Sequence, residues 1–314
     1  MQYKDGTPAS CWQCVCQQDA GVQKIMNIEK FLVPEGKKLN LKNHPTDFTG
    51  DHTDKREAVE DLRKNVGRLA ELQDVLYAQN NHALLIIFQA MDAAGKDGAI
   101  KHVMSGLNPQ GCEVTSFKQP STEELDHDYL WRSMKRLPER GRIGIFNRSY
   151  YEDVLVVRVH PEILQFQQLP DKLENDRNIW KKRFEQIRNF ETYLAENAIH
   201  TLKFFLNVSK EEQKNRFLAR IDTPEKNWKF SAGDAKERGF WDDYMRAYTD
   251  ALQNTSTKNA PWYVVPADKK WFTRVAVSEI IIKKMESLDL QYPKISEAQR
   301  QSLLEAKKIL ESEQ

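Results

Sequence analysis

Cysteine is scarce in this chain of 314 residues. It has four cysteines, of which Cys11, Cys14 and Cys16 lie together near the amino terminus and Cys112 lies far from them. This arrangement offers no disulfide framework, which is typical of a protein of the reducing cytoplasm. The C-x-x-C-x-C spacing would suit a metal site, but no fourth ligand follows nearby, so we interpret the triplet as part of a disordered leader.

Long apolar runs and a surplus of one charge are also missing. No apolar run approaches the roughly 18 residues that cross a membrane, and the start MQYKDGTPAS has no apolar signal core. Lys and Arg number 47 against 46 Asp and Glu, which gives a formal net charge of +1. A polybasic nucleic-acid binder and an acidic solvating tail are therefore excluded, and we expect neither nucleic acid nor a membrane as a partner.

The hydrophobic content of 40% is high enough for a sizeable core, which excludes disorder across the whole chain. The sequence shows no internal repeat and no low-complexity tract. Changes in composition predict four parts. These are a flexible leader over residues 1–25, an extended N-terminal wrap over 26–56, one α/β domain over 57–290 with a helical excursion at about 222–253, and a C-terminal helix within 291–314.

Short apolar stretches alternate with amphipathic helices through the α/β domain. Ala83–Gln89 is apolar and too short for a helix, which is typical of a strand buried on both faces. The alternation predicts a parallel sheet of five strands between helices. The predicted strands are 83–89, 112–118, 142–146, 201–208 and a short one within 261–268. The predicted helices are 57–79, 96–107, 121–137, one from near 149, 172–197, 209–220, 240–253, 269–287 and one capped by Ser296.

The stretch QAMDAAGKDG, from Gln89 to Gly98, follows the first predicted strand and opens a helix. Backbone N–H groups and a helix N-terminus converge on phosphate oxygens at such a turn. Gly95 allows close approach of the backbone, and Lys96 is placed to hold a transferring phosphoryl group. The match to G-x-x-x-x-G-K-[ST] is imperfect, because Ala90 replaces the first glycine and Asp97 replaces the hydroxyl residue. The alternative is an ordinary strand–turn–helix connection.

Replacement of the usual hydroxyl residue removes one ligand for Mg²⁺, so other oxygens must supply it. Asp92, inside the loop, could ligate a hydrated Mg²⁺ or Mn²⁺. After the third predicted strand, Asn147, Glu152 and Asp153 offer further oxygens, although the two carboxylates would also suit a surface ion-pair cluster. Arg148 could clamp a phosphate with its planar guanidinium group. The predicted metal ligands are Asp92, Asn147, Glu152 and Asp153.

Five blocks of sequence, spread in order over roughly residues 45–290, resemble the polyphosphate kinase 2 family. They are MDAAGKDG, SFKQPS with HDYLWR, IGIFNRSYYEDVLVVRVHPE, RIDTPEKNWKFSAGDAKERGFWDDY and TSTKNAPWYVVPADKKW. The resemblance implies that the domain over 57–290 is a P-loop kinase core with a helical lid. It implies reversible, Mg²⁺-dependent phosphoryl transfer between inorganic polyphosphate and a nucleotide. Asn147, in place of the family's Asp, resembles the subgroup that phosphorylates both nucleoside monophosphates and diphosphates.

The resemblance also assigns roles to individual residues. Asp92, Lys96 and Arg148 match the family's catalytic positions, and the lid block carries phosphate contacts onto Arg220, Lys226 and Lys229. It adds weight to Arg177 and Arg183, whose helix could otherwise present an ordinary solvated basic face. The predicted phosphate-binding residues are Ala93, Ala94, Gly95, Asp97, Gly98, Arg177, Arg183, Arg220, Lys226 and Lys229. The predicted nucleotide-binding residues are Phe117, Lys118, Asn147 and Glu152.

These observations predict a polyphosphate-dependent nucleotide kinase that forms ATP from ADP and/or AMP, with GDP and GMP as further candidate acceptors. Because the acceptor is already a phosphate anion, no general base is required. An ATP-dependent nucleoside monophosphate kinase is one alternative, since its P-loop and lid would look similar. A non-catalytic P-loop protein that binds polyphosphate or nucleotide is another. By family resemblance we expect a homodimer or homotetramer.

Overall fold

A computed structural model of the chain describes residues 26–313, apart from the side chains of residues 229 and 232. The predicted leader over 1–25, with Cys11, Cys14 and Cys16, lies outside the described residues. Within them, no helix is both long and apolar enough to cross a membrane.

Five parallel strands form one sheet, as predicted, and their order in it is β2-β3-β1-β4-β5. Every residue of β1 is buried, which explains its uninterrupted apolar sequence. Phe88, near the end of β1, pairs with Asn147 at the end of β3, so the turns after these two strands are neighbours. The strands are β1 Ala83–Gln89, β2 Cys112–Ser116, β3 Ile143–Asn147, β4 Ile199–Asn207 and β5 Trp262–Pro266.

Helices lie on both sides of the sheet, and α1, α2 and α11 pack together. The first six are α1 Lys55–Gln79, α2 Lys96–Val103, α3 Thr122–Leu125, α4 Trp131–Met134, α5 Val156–Val159 and α6 Asp171–Glu174. The other six are α7 Ile179–Glu196, α8 Lys210–Ile221, α9 Ala232–Glu237, α10 Trp241–Thr255, α11 Lys270–Glu286 and α12 Glu297–Ser312. Short 3₁₀ helices cover Ile28–Lys30, Leu41–Asn43, Pro109–Gly111, Tyr150–Val154, Pro161–Gln167, Pro224–Lys229 and Arg238–Phe240.

Two long helices predicted from the sequence are interrupted. The capping box of Ser121 and Glu124 forms, but α3 ends after one turn, where the ring of His127 binds the Glu123 carbonyl at 2.8 Å. The predicted helix over 121–137 is therefore two single turns, α3 and α4. The predicted helix over 172–197 is likewise divided, because Asp176 accepts a hydrogen bond from the Asn178 N–H and α7 begins only at Ile179. Such side-chain bonds to nearby backbone compete with helical hydrogen bonds.

The excursion predicted over 222–253 also divides into two parts. Residues 222–240, which we call the lid segment, consist of short helical turns and include Trp228, which is 78% exposed. Helix α10 instead belongs to the core, where Trp241, Tyr248 and Leu252 are buried. The apolar face of α10 is thus a packing surface against the domain, and the part that projects is shorter than predicted.

The N-terminal segment lies along the free edge of β5. The Val33 N–H donates to the Trp262 carbonyl at 2.9 Å, and the Val264 N–H donates to the Phe31 carbonyl at 2.7 Å. Phe31 and Phe48 pack edge to face against Phe272 of α11. This segment therefore covers a sheet edge that would otherwise expose unpaired backbone groups.

Candidate active site

The loop between β1 and α2 has an unusual backbone. Ala93 and Gly95 have positive φ angles of 59° and 112°, a conformation that is unfavourable for alanine. Helix α2 begins at Lys96, and no side chain caps its first N–H groups. The residues of this first turn line the groove described below, and free N–H groups at the start of a helix favour an anion.

Helix α8 binds the opposite, carbonyl side of this loop. Gln213 Nε2 donates to the Asp92 carbonyl at 2.9 Å. Arg216 Nη1 donates to the carbonyls of Ala93 and Ala94 at 2.9 and 2.7 Å. Because C=O and N–H point in opposite directions across a trans peptide, these contacts turn the N–H groups of Ala93 and Gly95 away from α8. Side chains of α8 thus shape the phosphate-binding loop.

Arg216 was not among the predicted site residues, although it is the main support of the loop. It is 7% exposed, and its Nη2 also donates to the carbonyls of Ala267 and Asp268, at 2.6 and 3.1 Å, where the chain leaves β5. One guanidinium group therefore joins the turns after β1 and β5. No sequence motif marks this role, because a buried arginine and a solvated one look alike in an amphipathic helix.

Lys96 lies at the centre of the loop. Its Nζ donates to the Ala90 carbonyl at 2.8 Å, so the loop itself holds the ammonium group. Burial lowers the pKa of Lys96, and Arg148 adds to this, while Asp92, Glu152 and Asp97 act in the opposite direction. A dehydrated cation of this kind interacts strongly with an incoming phosphate.

The turn after β3 brings three further predicted residues to the same place. Arg148, with a positive φ of 65°, donates from Nη2 to Asp92 Oδ1 at 3.1 Å. Its Nη1 lies 4.0 Å from Glu152 Oε2. Asn147 Nδ2 donates to Asp97 Oδ1 at 2.8 Å, which joins the end of β3 to the start of α2. The sequence prediction that these two turns form one site is consistent with this geometry.

Two carboxylates in this site lie beside the same guanidinium group. Asp92 and Glu152 both approach Arg148, and burial raises the pKa of Glu152 while Arg148 and Lys96 oppose that shift. Mg²⁺ is commonly held by one or two carboxylates together with substrate phosphates. The pair fits that pattern, although no group of three or more His, Cys, Asp or Glu able to hold a metal occurs among residues 26–313.

Asp153 points away from this pair. Its Oδ1 accepts a hydrogen bond from Gln167 Nε2 at 2.7 Å and lies 3.5 Å from Arg183 Nη1. Burial raises the pKa of Asp153 to about 6, against the attraction of Arg183. The structure therefore does not place Asp153 with the other predicted metal ligands.

The loop forms the floor of a groove of about 870 Å³. Eight cationic and three acidic side chains line it, so its charge differs sharply from that of the whole chain. The cationic residues are Lys96, Lys118, Arg148, Arg216, Arg220, Lys226, Lys270 and Arg274, and the acidic ones are Asp92, Asp97 and Asp234. A concave surface of one charge concentrates a polyanion.

Two cations of α11, Lys270 and Arg274, belong to the groove but were not predicted. They are four residues apart and therefore lie on one face of the helix. Burial lowers the pKa of both, and the charges of Arg216, Arg274 and Arg220 contribute to the shift of Lys270. The i,i+4 spacing of two cations just after β5 is the signal from which they could have been found.

Some predicted phosphate contacts lie elsewhere. Arg183 is 4% exposed and donates to the Asp153 carbonyl at 2.9 Å and to Gln167 Oε1 at 2.5 Å. Arg177 is exposed just before α7 and does not line the groove. The side chain of Lys229 lies outside the described residues. The structure thus brings neither Arg177 nor Arg183 to the loop.

The two residues predicted to contact nucleotide after β2 lie at the groove wall. Phe117 is 7% exposed, and its ring packs edge to face against Phe146 at 4.9 Å between centroids. The Lys118 carbonyl accepts a hydrogen bond from Arg132 at 2.7 Å. The ring of Phe117 is therefore mostly part of the core, while the side chain of Lys118 is exposed.

A second pocket, of about 400 Å³, adjoins the groove. Asp92 and Arg148 line both cavities, so the ion pair between them lies at the boundary. The second pocket is also lined by Glu152, His160 and Tyr244. The two cavities therefore meet at Asp92 and Arg148.

The sequence of this chain is similar to those of known proteins. The family model described as Polyphosphate kinase 2 matches residues 52–293. The chain is 55% identical over 282 residues to the ADP-polyphosphate phosphotransferase of Rhodopseudomonas palustris, covering 90% of this chain and 98% of that protein. It is 43% identical over 279 residues to the AMP/ADP-polyphosphate phosphotransferase of Meiothermus ruber, with 88% and 100% covered.

A solved structure gives the same result. The crystal structure of polyphosphate kinase 2 from Arthrobacter aurescens TC1 is similar with a TM-score of 0.78 at 41% identity, over 87% of this chain and 94% of that one. The family predicted from the sequence blocks is confirmed. This chain belongs to the polyphosphate kinase 2 family.

Proposed function

We propose that this protein transfers phosphoryl groups reversibly between inorganic polyphosphate and nucleotides, forming ATP from ADP and/or AMP. The observation that carries the proposal is the convergence of the cationic groove on Lys96, with Asp92 and Arg148 at its inner end. The names of the relatives from R. palustris and M. ruber support polyphosphate as donor and support both acceptors.

The residues of the loop would act mainly by position and charge. Phosphoryl transfer needs donor and acceptor in line, with positive charge on the transferring oxygens. Lys96 and the N–H groups of Ala93 and Gly95 would hold the phosphoryl group, and Arg148 would contact it at the boundary of the two cavities. Asp92 and Glu152 would hold Mg²⁺, which supplies further charge neutralisation when bound.

The polyphosphate chain would extend from the loop along the cationic groove. Arg220 and Lys226 on one side, and Lys270 and Arg274 on the other, would contact successive phosphates. Phe117, Lys118, Asn147 and Glu152 remain the proposed contacts of the nucleotide. The lid segment, which contributes Lys226 and Trp228 to the groove, would help to exclude water from the transferring group.

An assay without ATP tests the proposal. Purified protein is incubated with Mg²⁺, polyphosphate and ADP, AMP, GDP or GMP in turn, and nucleotide products are separated. Formation of ATP or GTP is the expected result. Product that forms only after ATP is added would instead indicate an ATP-dependent nucleoside monophosphate kinase. Binding of polyphosphate without any product over hours would indicate a non-catalytic protein.

Two further expectations accompany this proposal. Self-association into a homodimer or homotetramer is supported by the exposed apolar side chains of α12, such as Leu303, Ile309 and Leu310. Light scattering of the full chain would measure its mass. The cytoplasmic location stays a prediction, and fractionation of the source cells would test it.

A further inference from the structure

Two side chains connect the lid segment to the phosphate-binding loop through α8. Arg238 lies near the end of the lid segment, and its Nη1 donates to Gln213 Oε1 at 2.7 Å and to the Lys210 carbonyl at 2.9 Å. Gln213 in turn donates from Nε2 to the Asp92 carbonyl at 2.9 Å. The amide oxygen of Gln213 thus accepts a hydrogen bond from the lid segment, and its nitrogen donates one to the loop.

The burial of Gln213 makes its orientation depend on Arg238. Gln213 is 1% exposed, so water does not readily replace a lost partner. A buried acceptor without a donor is unfavourable, and an amide can turn over to exchange its oxygen and nitrogen. Loss of Arg238 would therefore allow the amide of Gln213 to rotate or shift, and the Asp92 carbonyl would lose its donor.

The end of the lid segment is itself held in place. Glu237, next to Arg238, accepts a hydrogen bond from the Tyr244 hydroxyl at 2.8 Å and binds His160 Nε2 at 3.0 Å. The turn at 237–238 is therefore joined to α10, to the end of α5 and to α8. Any change in the position of this turn is transmitted first to Gln213 and then to Asp92.

We infer that Arg238 and Gln213 are positioning residues that make the backbone of the phosphate-binding loop depend on the lid segment. The Asp92 carbonyl bonded to Gln213 belongs to the same peptide as the N–H of Ala93, a residue that lines the groove. The Asp92 side chain is bonded to Arg148. Displacement of this peptide therefore changes both the anion site and the carboxylate at the boundary of the cavities. The consequence for catalysis rests on the proposed function, whereas the link between lid segment and loop does not.

The test compares Arg238→Met, Gln213→Met and the double variant with wild type. Methionine keeps much of the apolar volume of each side chain but can replace none of these hydrogen bonds. Arg246→Met is the matched control, because Arg246 is an exposed arginine of α10 that pairs with Asp243. Four quantities are measured: hydrogen–deuterium exchange of the segment 89–98 without substrate, the melting temperature, and kcat and KM with polyphosphate.

We expect faster exchange of the segment 89–98 in both single variants, and no further increase in the double variant. We expect kcat to fall on the order of 10- to 100-fold in each single variant, with the double variant no slower than the slower single one. KM for polyphosphate and the melting temperature should stay near wild type, and Arg246→Met should match wild type in all four quantities.

Unchanged exchange in Arg238→Met would overturn the inference, whether or not the protein uses polyphosphate. Losses of kcat that multiply in the double variant would also overturn it, because they would show that the two residues act independently. A large rise in KM in Arg238→Met alone would indicate direct contact with substrate instead. Since exchange is measured without substrate, failure of the proposed function is recognised separately, by an inactive wild type.

Discussion

At the scale of single residues, the proposed function assigns to Lys96 the holding of the phosphoryl group above the loop. Replacing it with alanine removes the ammonium group that donates to the Ala90 carbonyl. We expect kcat to fall by on the order of 10²- to 10³-fold, as for loss of one transition-state donor. The melting temperature should not fall, because removal of a partly dehydrated charge relieves an unfavourable burial.

The control for this prediction is Lys101→Ala, an exposed lysine on the same helix. It removes an equal charge without touching the loop, so its kcat should remain within about twofold of wild type. Both variants are assayed with polyphosphate and ADP at saturating concentrations. Near-wild-type turnover of Lys96→Ala would overturn the role proposed for Lys96.

Asp153 makes the stability of the protein depend on pH. Its pKa is raised to about 6 from the ordinary 3.8 because the carboxyl is buried. Between these values the folded protein binds a proton that the unfolded chain has released, so the contribution of this carboxyl to stability is fully present below about pH 4 and is lost as pH rises toward 6. The difference amounts to about 3 kcal/mol, and Asp153→Asn, which does not titrate, should lack this decline.

Urea denaturation between pH 4 and 7 measures this effect. The free energy of unfolding of wild type should fall more steeply from pH 4 to pH 6 than that of Asp153→Asn. The difference in slope should correspond to at most one proton released on unfolding. Asp171→Asn, a change at an exposed aspartate at the start of α6, should follow wild type. Parallel curves for wild type and Asp153→Asn would show that burial does not shift this carboxyl.

Among residues, the site was predictable only where a motif marks it. Asp92, Lys96, Asn147 and Arg148 follow the ends of two apolar strands, and adjacent parallel strands bring such ends together. Asp153 and Arg183 are an acid and a base like Asp92 and Arg148, but they pair with each other in the interior. Which way a charged side chain points depends on contacts between distant segments, and a single sequence does not contain that information.

At the scale of elements, strands were easier to predict than helices. A strand buried on both faces is apolar throughout, as β1 is, so its sequence alone distinguishes it. Helices were predicted from the spacing of their apolar residues. This spacing did not show that α10, which was predicted as part of the excursion, packs in the core. The spacing shows that a helix has an apolar face, but it does not show what covers that face.

Helix α11 provides an element-scale prediction. Lys270 and Arg274 line the groove from α11, outside the phosphate-binding loop and the Asp92–Arg148 pair, so they should affect binding of long polyphosphate more than the chemical step. In the double variant Lys270→Gln/Arg274→Gln, we expect KM for long-chain polyphosphate to rise about tenfold or more, at roughly 1 kcal/mol per lost contact. We expect kcat to change by less than about threefold.

Comparison of substrates and a control variant make this prediction specific. Tripolyphosphate is too short to reach far along the groove, so its KM should change less than that of the long chain. Lys269→Gln removes a charge from the neighbouring residue, which does not line the groove, and should behave as wild type. Equal changes of KM for both donors would contradict a role for α11 in binding the distant phosphates.

At the scale of the whole molecule, charge is balanced in sum and separated in space. The net charge of +1 excludes a protein that binds polyanions over its whole surface. Eight cations nevertheless gather in one groove, while acidic side chains such as that of Glu60 are exposed on α1. Attraction of a polyanion should therefore be local and restricted to the approach toward Lys96.

This separation of charge predicts a steep but limited dependence on salt. Each phosphate that a cation neutralises releases counterions, so log KM for polyphosphate should rise linearly with log salt concentration, as for other polyanions. Loss of Lys270 and Arg274 should reduce the slope by roughly 1 to 1.5, while Lys269→Gln should leave it unchanged.

The measurement is KM from 50 to 300 mM NaCl at fixed Mg²⁺, with kcat as an internal reference that should vary little. A slope that is equal in wild type and the double variant would mean that polyphosphate does not follow the α11 wall. A slope near zero in wild type would mean that the groove does not bind the chain by charge at all.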